Sequence, residues 1–488
     1  MKFIRLCFIL CLLPFVHVFS QGIHGRLTDA ANNPVPYVAI YDETTYAATT
    51  SNADGDYSLK LEPGRHSLVF KSLGYYLERR QVTTAESMVM LNIQLKAQPL
   101  EIKEVVITPG KEDPAYAMMR KVIARAPYHL NQVKEYTADV YLRGTIHIIK
   151  IPKIIARNTE IDGKKNVLKN GDVFIQESVN QLHFIAPDRY EQKVISYHST
   201  FPGEGNDVNP MEIIRSSFYQ PRIDEFISPL APNAFSMYQF RYEGFFEEGN
   251  TVIFKIGVTP KRNSQQLMRG YLYIVDKLWC LHTADVNVQM FFGNMGYKTI
   301  YSPIKSNAWL PISYQFKVDA AIVGIKANYN YSGSVKFSQV VLNEKIIPGT
   351  VKPEVQVTET PMAAKSVSDP KKQQRQADME RLLTKEELTN RDMVRLATMM
   401  AAESSNDTSG TQSLELKDPV EKVTIEKDAL KRDTAYWNEI RPIPLTHVEA
   451  LIPGIQDTLS VRQDSLAARD SVGNRKEPRR IGKVLHFV

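Results

Sequence analysis

The sequence predicts a mainly β protein with some helix: a transthyretin/Ig-like β-sandwich, a large curved antiparallel sheet domain with a helix, and a partly helical, partly disordered tail. Three observations predict it. Short period-two alternations broken by turn residues fill residues 21–98, and longer, aromatic-rich alternations run from about Tyr136 to Pro348. From about Val351, charged and amide residues dominate and aromatics nearly vanish. The boundaries that follow are a signal peptide over 1–20, the sandwich over 21–98, a connector and helix over 99–135, the antiparallel domain over 136–350, and a polar helical or linker tail over 351–488.

The leader comes first. Lys2 and Arg5 precede an apolar run from Leu6 to Phe19 that closes on Val18-Phe19-Ser20, which places cleavage between Ser20 and Gln21. The run contains Pro14 and His17 and is shorter than the roughly twenty residues a spanning helix needs. Cys11 lies inside it, too early for a lipid-attachment cysteine. Removing the leader takes Cys7 and Cys11 with it, so Cys280 is the one thiol of the mature chain and no intramolecular disulfide can form. Cys280 sits between two strand-like runs, Tyr271–Val275 and the residues from Leu281, and is expected to be buried and inert. A net charge of +6 on 488 residues is too mild to point to nucleic acid as a partner.

In the first mature region the alternating sets are Ile23/Gly25/Leu27, Val38/Ile40, Tyr57/Leu59/Leu61, Leu68/Phe70 and Val89/Leu91/Ile93/Leu95. Asn32-Asn33-Pro34, Asp54-Gly55 and Pro63-Gly64 supply the turns between them. Asn52, Asp54 and Asp56 place oxygen ligands at alternate positions, as a calcium loop does, but no glutamate follows at the twelfth position. A hairpin turn with Gly55 at positive φ explains the same residues. Gly25-Arg26-Leu27-Thr28-Asp29, Pro34–Ile40, Thr50–Tyr57 and Ser72-Leu73-Gly74-Tyr75 resemble the carboxypeptidase regulatory-like domain, an accessory sandwich often found at the start of Bacteroidota-type outer-membrane proteins. The resemblance implies no carboxypeptidase activity, since the chain has neither His-x-x-Glu nor His-Glu-x-x-His.

After Pro99, Leu100–Thr108 resembles the connector of TonB-dependent transporters, but a helix follows rather than a plug. Asp113 is its N-cap, Pro114 opens its first turn, and Tyr116, Met119, Val122, Ile123 and Ala126 form its apolar stripe. Eight strands are then expected: Tyr136–Ile149, Val173–Phe184, Ser236–Phe246, Thr251–Thr259, Gly270–Val275, Leu281–Met290, Ile312–Ala320 and Gly324–Val335. Phe254–Lys261, Gly270–Asp276 and Trp309-Leu310-Pro311 are similar to periplasmic lipoprotein-carrier half-barrels, whose sheets cradle acyl chains. Phe245, Phe246, Phe291 and Trp309 are accordingly the candidate ligand-binding or core-packing aromatics.

No nucleophile elbow, phosphate-binding loop, Cys-x-x-Cys or dinucleotide fingerprint is present, and His129, His147, His183, His198, His282 and His447 are scattered. Glu247 and Glu248 are adjacent on an expected loop and point apart. The expectation is a protein without enzymatic activity, cofactor or metal.

In the tail, Thr384 and Glu387 make a capping box before Leu388, Met393, Leu396 and Met399-Met400. Further on, Trp437, Arg441, Pro442 and Pro444 form a candidate interface segment, a large aromatic followed by rigid prolines. The run Trp437 to Thr446 resembles the segment that precedes the membrane barrel in a Bacteroidota-type outer-membrane family, where a regulatory-like sandwich precedes a domain of unknown function. The resemblance implies a C-terminal barrel, so the ending at Ile481–Val488 reads as the threshold of a missing strand. The expected role is the periplasm-facing part of an outer-membrane-associated protein in transport, assembly or surface biogenesis, with an outer-membrane or periplasmic protein partner. The alternative is a soluble periplasmic carrier of lipid or another apolar ligand in the middle sheet.

Overall fold

The computed structural model describes residues 21–101, 112–158, 160–161, 164–165, 167–202, 211–290, 292–322, 324–347 and 420–452. It is mostly strand, with an Ig-like domain ahead of a large sheet domain. The signal peptide, Phe291, the capping-box helix near Thr384 and the final residues lie outside the described residues.

The first domain sets two four-stranded sheets against each other. One contains β1 (Gly22–Thr28), β4 (Asp56–Lys60), β7 (Met88–Met90) and β8 (Ile93–Gln94). The other runs β3 (Ala48–Thr50), β2 (Ala39–Asp42), β5 (Gly64–Lys71), β6 (Glu78–Thr84). The alternation places Ile23, Leu27, Ile40, Tyr57, Leu59, Leu68 and Phe70 in one core between them. Gly55 has φ +78, as a hairpin turn requires, and a Cβ there would meet the Leu27 carbonyl.

An eleven-stranded sheet follows, in the order β16-β17-β18-β19-β20-β21-β22-β9-β12-β13-β23. Its strands are β9 (Val133–Lys150), β12 (Val173–Ile185), β13 (Arg189–Ser199), β16 (Tyr238–Glu248), β17 (Thr251–Pro260), β18 (Arg269–Val275), β19 (Cys280–Met290), β20 (Gly293–Lys305), β21 (Ala308–Ile322), β22 (Ile325–Leu342) and β23 (Val420–Ile425). Two short hairpins complete the strand set, β10 (Glu160–Ile161) with β11 (Lys164–Lys165) and β14 (Arg222–Ile223) with β15 (Phe226–Ile227). All the pairings in the large sheet are antiparallel except the last, where β23 adds to β13 in parallel. Residues expected to be tail are therefore part of the sheet. Besides β23, two of its strands, β13 and β20, are not among those the alternation marks.

The register assigns the faces. Ala138, Val140, Leu142 and Gly144 on β9 stand opposite Phe337, Val335, Gly333 and Tyr331 on β22. Continuing across β21 to β20 puts Tyr297 on the same face, and Phe218 stacks on it at 5.3 Å. Helix α1 (Pro114–Asn131) covers this face too, since His129 packs against Tyr219 at 5.2 Å and the Tyr219 hydroxyl accepts the Leu281 N–H. Asp113 caps the helix as expected, accepting from Ala115 N, and the same oxygen accepts the Tyr242 N–H from edge strand β16. The segment around Phe218, Tyr219, Ile227 and Leu230 fills the rest. On the opposite face stand Tyr141, Arg143, Thr145 and Glu177, and here the sandwich docks, with Thr50 and Ser313 hydroxyls 3.5 Å apart.

Candidate functional site

Among the described residues, buried charge concentrates at two places on the sandwich-covered face. The first is built by the strap that follows β23. Asp433 caps a helix over Thr434–Ile440 by accepting the Tyr436 N–H, and Pro442 ends it by forcing Arg441 into extended backbone. Trp437, 2% exposed, packs with Tyr141 and Ile443, and its ring lies 6.1 Å from that of His198. Arg441 grips Glu177 with two parallel hydrogen bonds of 2.8 Å each, and the Tyr141 hydroxyl donates to the same carboxylate at 2.8 Å. Burial alone would raise the Glu177 pKa, but Arg441 and then Arg143 hold it below the usual carboxylate value.

Prolines give the next residues their use. Pro442 and Pro444 have no N–H and keep the strap extended, which turns successive carbonyls toward the protein. Thr49 donates to the Pro442 carbonyl at 2.7 Å, Arg143 to those of Ile443 and Pro444 at 2.8 Å each, and Asn52 to Pro444 at 3.1 Å. Glu449 accepts from Arg143, from Thr145 at 2.8 Å and from the Thr446 N–H at 2.7 Å. The strap thus ties sandwich to sheet. The Asn52-Asp54 turn takes part: Asn52 Oδ1 accepts the Asp54 and Asp56 N–H groups, and Asp54 accepts the His447 N–H at 2.9 Å.

The second concentration joins the sandwich to the sheet directly. Lys71 donates to Glu248 at 3.0 Å, and His282 Nε2 lies 2.9 Å from the other oxygen of that carboxylate. Trp309 walls the group, 5.0 Å below Lys71 and 5.9 Å from the His282 ring, and Phe246 meets that ring edge-on at 5.7 Å. Burial lowers the pKa of Lys71, and burial followed by Lys71 lowers that of His282; Lys71 and His282 in turn hold Glu248 far below its usual value against its own burial. Glu248 ends β16 rather than lying on a loop, which is why it reaches this interface while Glu247 points away. Cys280 is buried nearby, and burial pushes its thiol up to about 12.

Of the candidate aromatics, Phe246 and Trp309 meet at this buried ion group, Phe245 is buried where Glu101 bridges the edge of β16, and Phe291 lies outside the described residues. Trp437, Arg441, Pro442 and Pro444 all contact this same chain, so the candidate interface segment forms an interface within the molecule. Arg143, Glu177, Glu449 and Lys71 were not singled out by the sequence, and Glu248 was read only as one of an acidic pair on a loop.

Between the strap, the sandwich and the sheet lies a small cleft of about 40 Å³, open to solvent, lined by Tyr37, Asn52, Arg143, Asn330, Ser332 and Glu449 among others. No set of three His, Cys, Asp or Glu side chains among the described residues has the geometry to hold a metal ion.

Residues 23–107 match the CarboxypepD_reg-like domain, and residues 118–338 match a Family of unknown function (DUF5686). No curated protein matches the chain. Similar solved structures include a LolA superfamily protein from Nitrosomonas europaea, at 9% identity over 46% of this chain and 94% of that one, TM-score 0.17. Another is a putative outer membrane lipoprotein-sorting protein domain from Vibrio parahaemolyticus, at 7% identity over 47% and 95%, TM-score 0.19. A third is the Pseudomonas aeruginosa MucA/MucB complex, at 6% identity over 45% and 94%, TM-score 0.16.

Proposed function

We propose that this chain is a non-enzymatic scaffold of a Bacteroidota-type cell envelope, facing the periplasm and associated with the outer membrane, where it serves transport, assembly or surface biogenesis alongside a protein partner. The observation that carries the reading is the strap. The deeply buried charges on the sandwich-covered face are committed to holding sandwich, sheet and C-terminal segment in one arrangement, through Arg441–Glu177, Arg143–Glu449 and Lys71–Glu248. Charges so paired serve position rather than turnover. The leader-like start supports export.

Fractionation of cells expressing the full chain with its own leader tests this. The protein is expected with the outer membrane, shielded from added protease until that membrane is permeabilised. Recovery wholly in the soluble periplasmic fraction would defeat the outer-membrane reading, and retention in the cytoplasm would defeat export.

A second reading is a soluble periplasmic carrier for lipid or another apolar ligand. It draws on α1 lying across one face of the sheet, an arrangement that could close over a ligand. That face is filled by Met119, Val122, Phe218, Tyr219 and Leu230, so loading would require α1 or the 211–237 segment to move. Native mass spectrometry of the purified protein decides it: co-purifying lipid puts the carrier first, and a bare chain removes it.

A further inference from the structure

The eleven-stranded sheet ends differently at its two edges. At β16 the edge is occupied: Phe245 and Glu101 exchange both backbone hydrogen bonds, at 2.8 and 2.9 Å, and Asp113 accepts the Tyr242 N–H. At β23 no strand among the described residues pairs with the outer side. The Glu426 N–H donates to the Val194 carbonyl at 3.0 Å, and in a parallel ladder alternate residues turn their backbone groups to the same neighbour. Lys422, Thr424 and Glu426 therefore face β13, and Val423 and Ile425 present their N–H and C=O groups outward. The side chains of Val423 and Ile425 lie beside Gln192 and Val194 and are 47% and 60% exposed. An unpaired edge that carries exposed apolar side chains is a template for another strand.

The order of side chains names the strand that fits. In an antiparallel pair, Val423 and Ile425 must face residues of the incoming strand whose backbone groups also point outward. For a second β23 running the opposite way, that condition allows registers centred on a residue and excludes those centred between two. Centred on Thr424, the pairing sets Val423 against Ile425 of the second copy, Thr424 against Thr424, and Lys422 against Glu426. Apolar then meets apolar, hydroxyl meets hydroxyl and charge meets opposite charge, and a twofold axis repeats each pair. The neighbouring registers lose this match. Centring on Val423 sets Lys422 against Thr424, centring on Ile425 sets Glu426 against Thr424, and centring on Lys422 sets lysine against lysine. The flanking strand agrees with the Thr424 register, since Glu191 stands beside Lys422, and Glu426 accepts from Lys193 at 2.6 Å and from Arg432 at 3.3 Å. Charges of alternating sign then cross the seam: Glu191 and Lys422 of one copy, Glu426 and Lys193 of the other.

We propose that β23 pairs antiparallel with β23 of a second copy of this chain, joining two sheets into one across a twofold axis at Thr424. An isologous pairing of this kind closes the free edge in both copies at once. A strand of 6 residues buries well under the roughly 1,200 Å² of a standard interface, so the dimer is weak, with Kd of about 10–100 µM.

Sedimentation velocity of the purified chain from Gln21 onward, between about 1 and about 300 µM, tests this. A monomer–dimer equilibrium is expected within that range. Val423→Pro removes an outward N–H without breaking a bond to β13, and should weaken the dimer at least about tenfold with thermal unfolding nearly unchanged. Lys422→Glu and Glu426→Lys each set like charges opposite one another and should each be monomeric. Their equimolar mixture, in which both pairs are again opposite in sign, should associate. Thr424→Cys should give a disulfide-linked dimer on mild oxidation, because side chains at such a non-hydrogen-bonded pair stand about 4.5 Å apart and Cys280 is buried. A chain that stays monomeric throughout, a dimer undiminished in Val423→Pro, or failure of both the charge-variant mixture to associate and Thr424→Cys to cross-link would overturn the proposal.

Discussion

Glu177 shows what a single enclosed side chain demands of its neighbours. Its carboxylate has no exposed surface, and Arg441, Tyr141 and, at 3.9 Å, Arg143 surround it. Removing one partner strands the charge, and breaking a buried pair costs about 3–5 kcal/mol. Arg441→Ala is therefore expected to lower the unfolding free energy by about 3–5 kcal/mol, read as a lower urea midpoint with little change in slope, and Arg441→Lys by less, since one of two parallel bonds survives. A shift within error for Arg441→Ala would show that the pair is not load-sharing. His129 behaves differently. Burial pushes its pKa down to about 4, against an ordinary 6.5, and the ring stays neutral when folded. Because the unfolded chain takes the proton first, this contribution is complete above pH 6.5 and is lost as pH falls toward 4. The difference corresponds to about 3 kcal/mol, so urea unfolding should weaken across that window, and His129→Phe should flatten the profile there. An unchanged profile in the variant would assign the dependence to other groups.

At the scale of the element, β9 and β22 form the spine of the sheet, and one glycine sets how they lie together. A Cβ on Gly144 would sit 2.5 Å from the Tyr331 ring, which rests directly on its backbone. Gly144→Ala should therefore cost about 1–3 kcal/mol by overpacking, and Tyr331→Leu in the same chain should recover part of it, both read from thermal unfolding. Equal destabilisation with and without Tyr331→Leu would mean that backbone conformation, not the ring, requires the glycine. Such contacts also show what was legible beforehand. Alternation marked β9, β12 and β16–β19 because one face of each is apolar. It missed β13, whose Arg189, Glu191, Gln192 and Lys193 put polar groups on both faces, and β20, whose Gly293, Gly296 and Pro303 carry turn character inside a strand. Trp437 and its prolines stood out as a local motif. Their partners Arg143 and Glu177 lie some three hundred residues earlier, and no local pattern records that meeting.

For the whole molecule, the question is whether the sandwich and the sheet unfold as one. Their shared surface is held by polar contacts that require register: Lys71 with Glu248, Tyr41 with Ser302, and the strap's bonds to Thr49, Asn52 and Asp54. An apolar interface tolerates sliding, whereas each of these groups is left buried and unpaired if the domains shift. The sandwich has an apolar core of its own, while the core of the sheet also takes in Ala39, Tyr41 and Val69 from the sandwich, so apolar packing joins the two as well. Coupling then resides in the contacts between them, and the strap supplies a large share because it binds both sides at once. Calorimetry of the intact chain should give one transition whose van't Hoff and calorimetric enthalpies agree. Combining Arg441→Gln with Glu449→Gln loosens the strap without touching either core, and should split that transition in two, the smaller belonging to the sandwich. If one transition persists, the Lys71–Glu248–His282 group suffices to couple the domains, and Lys71→Ala should split it instead.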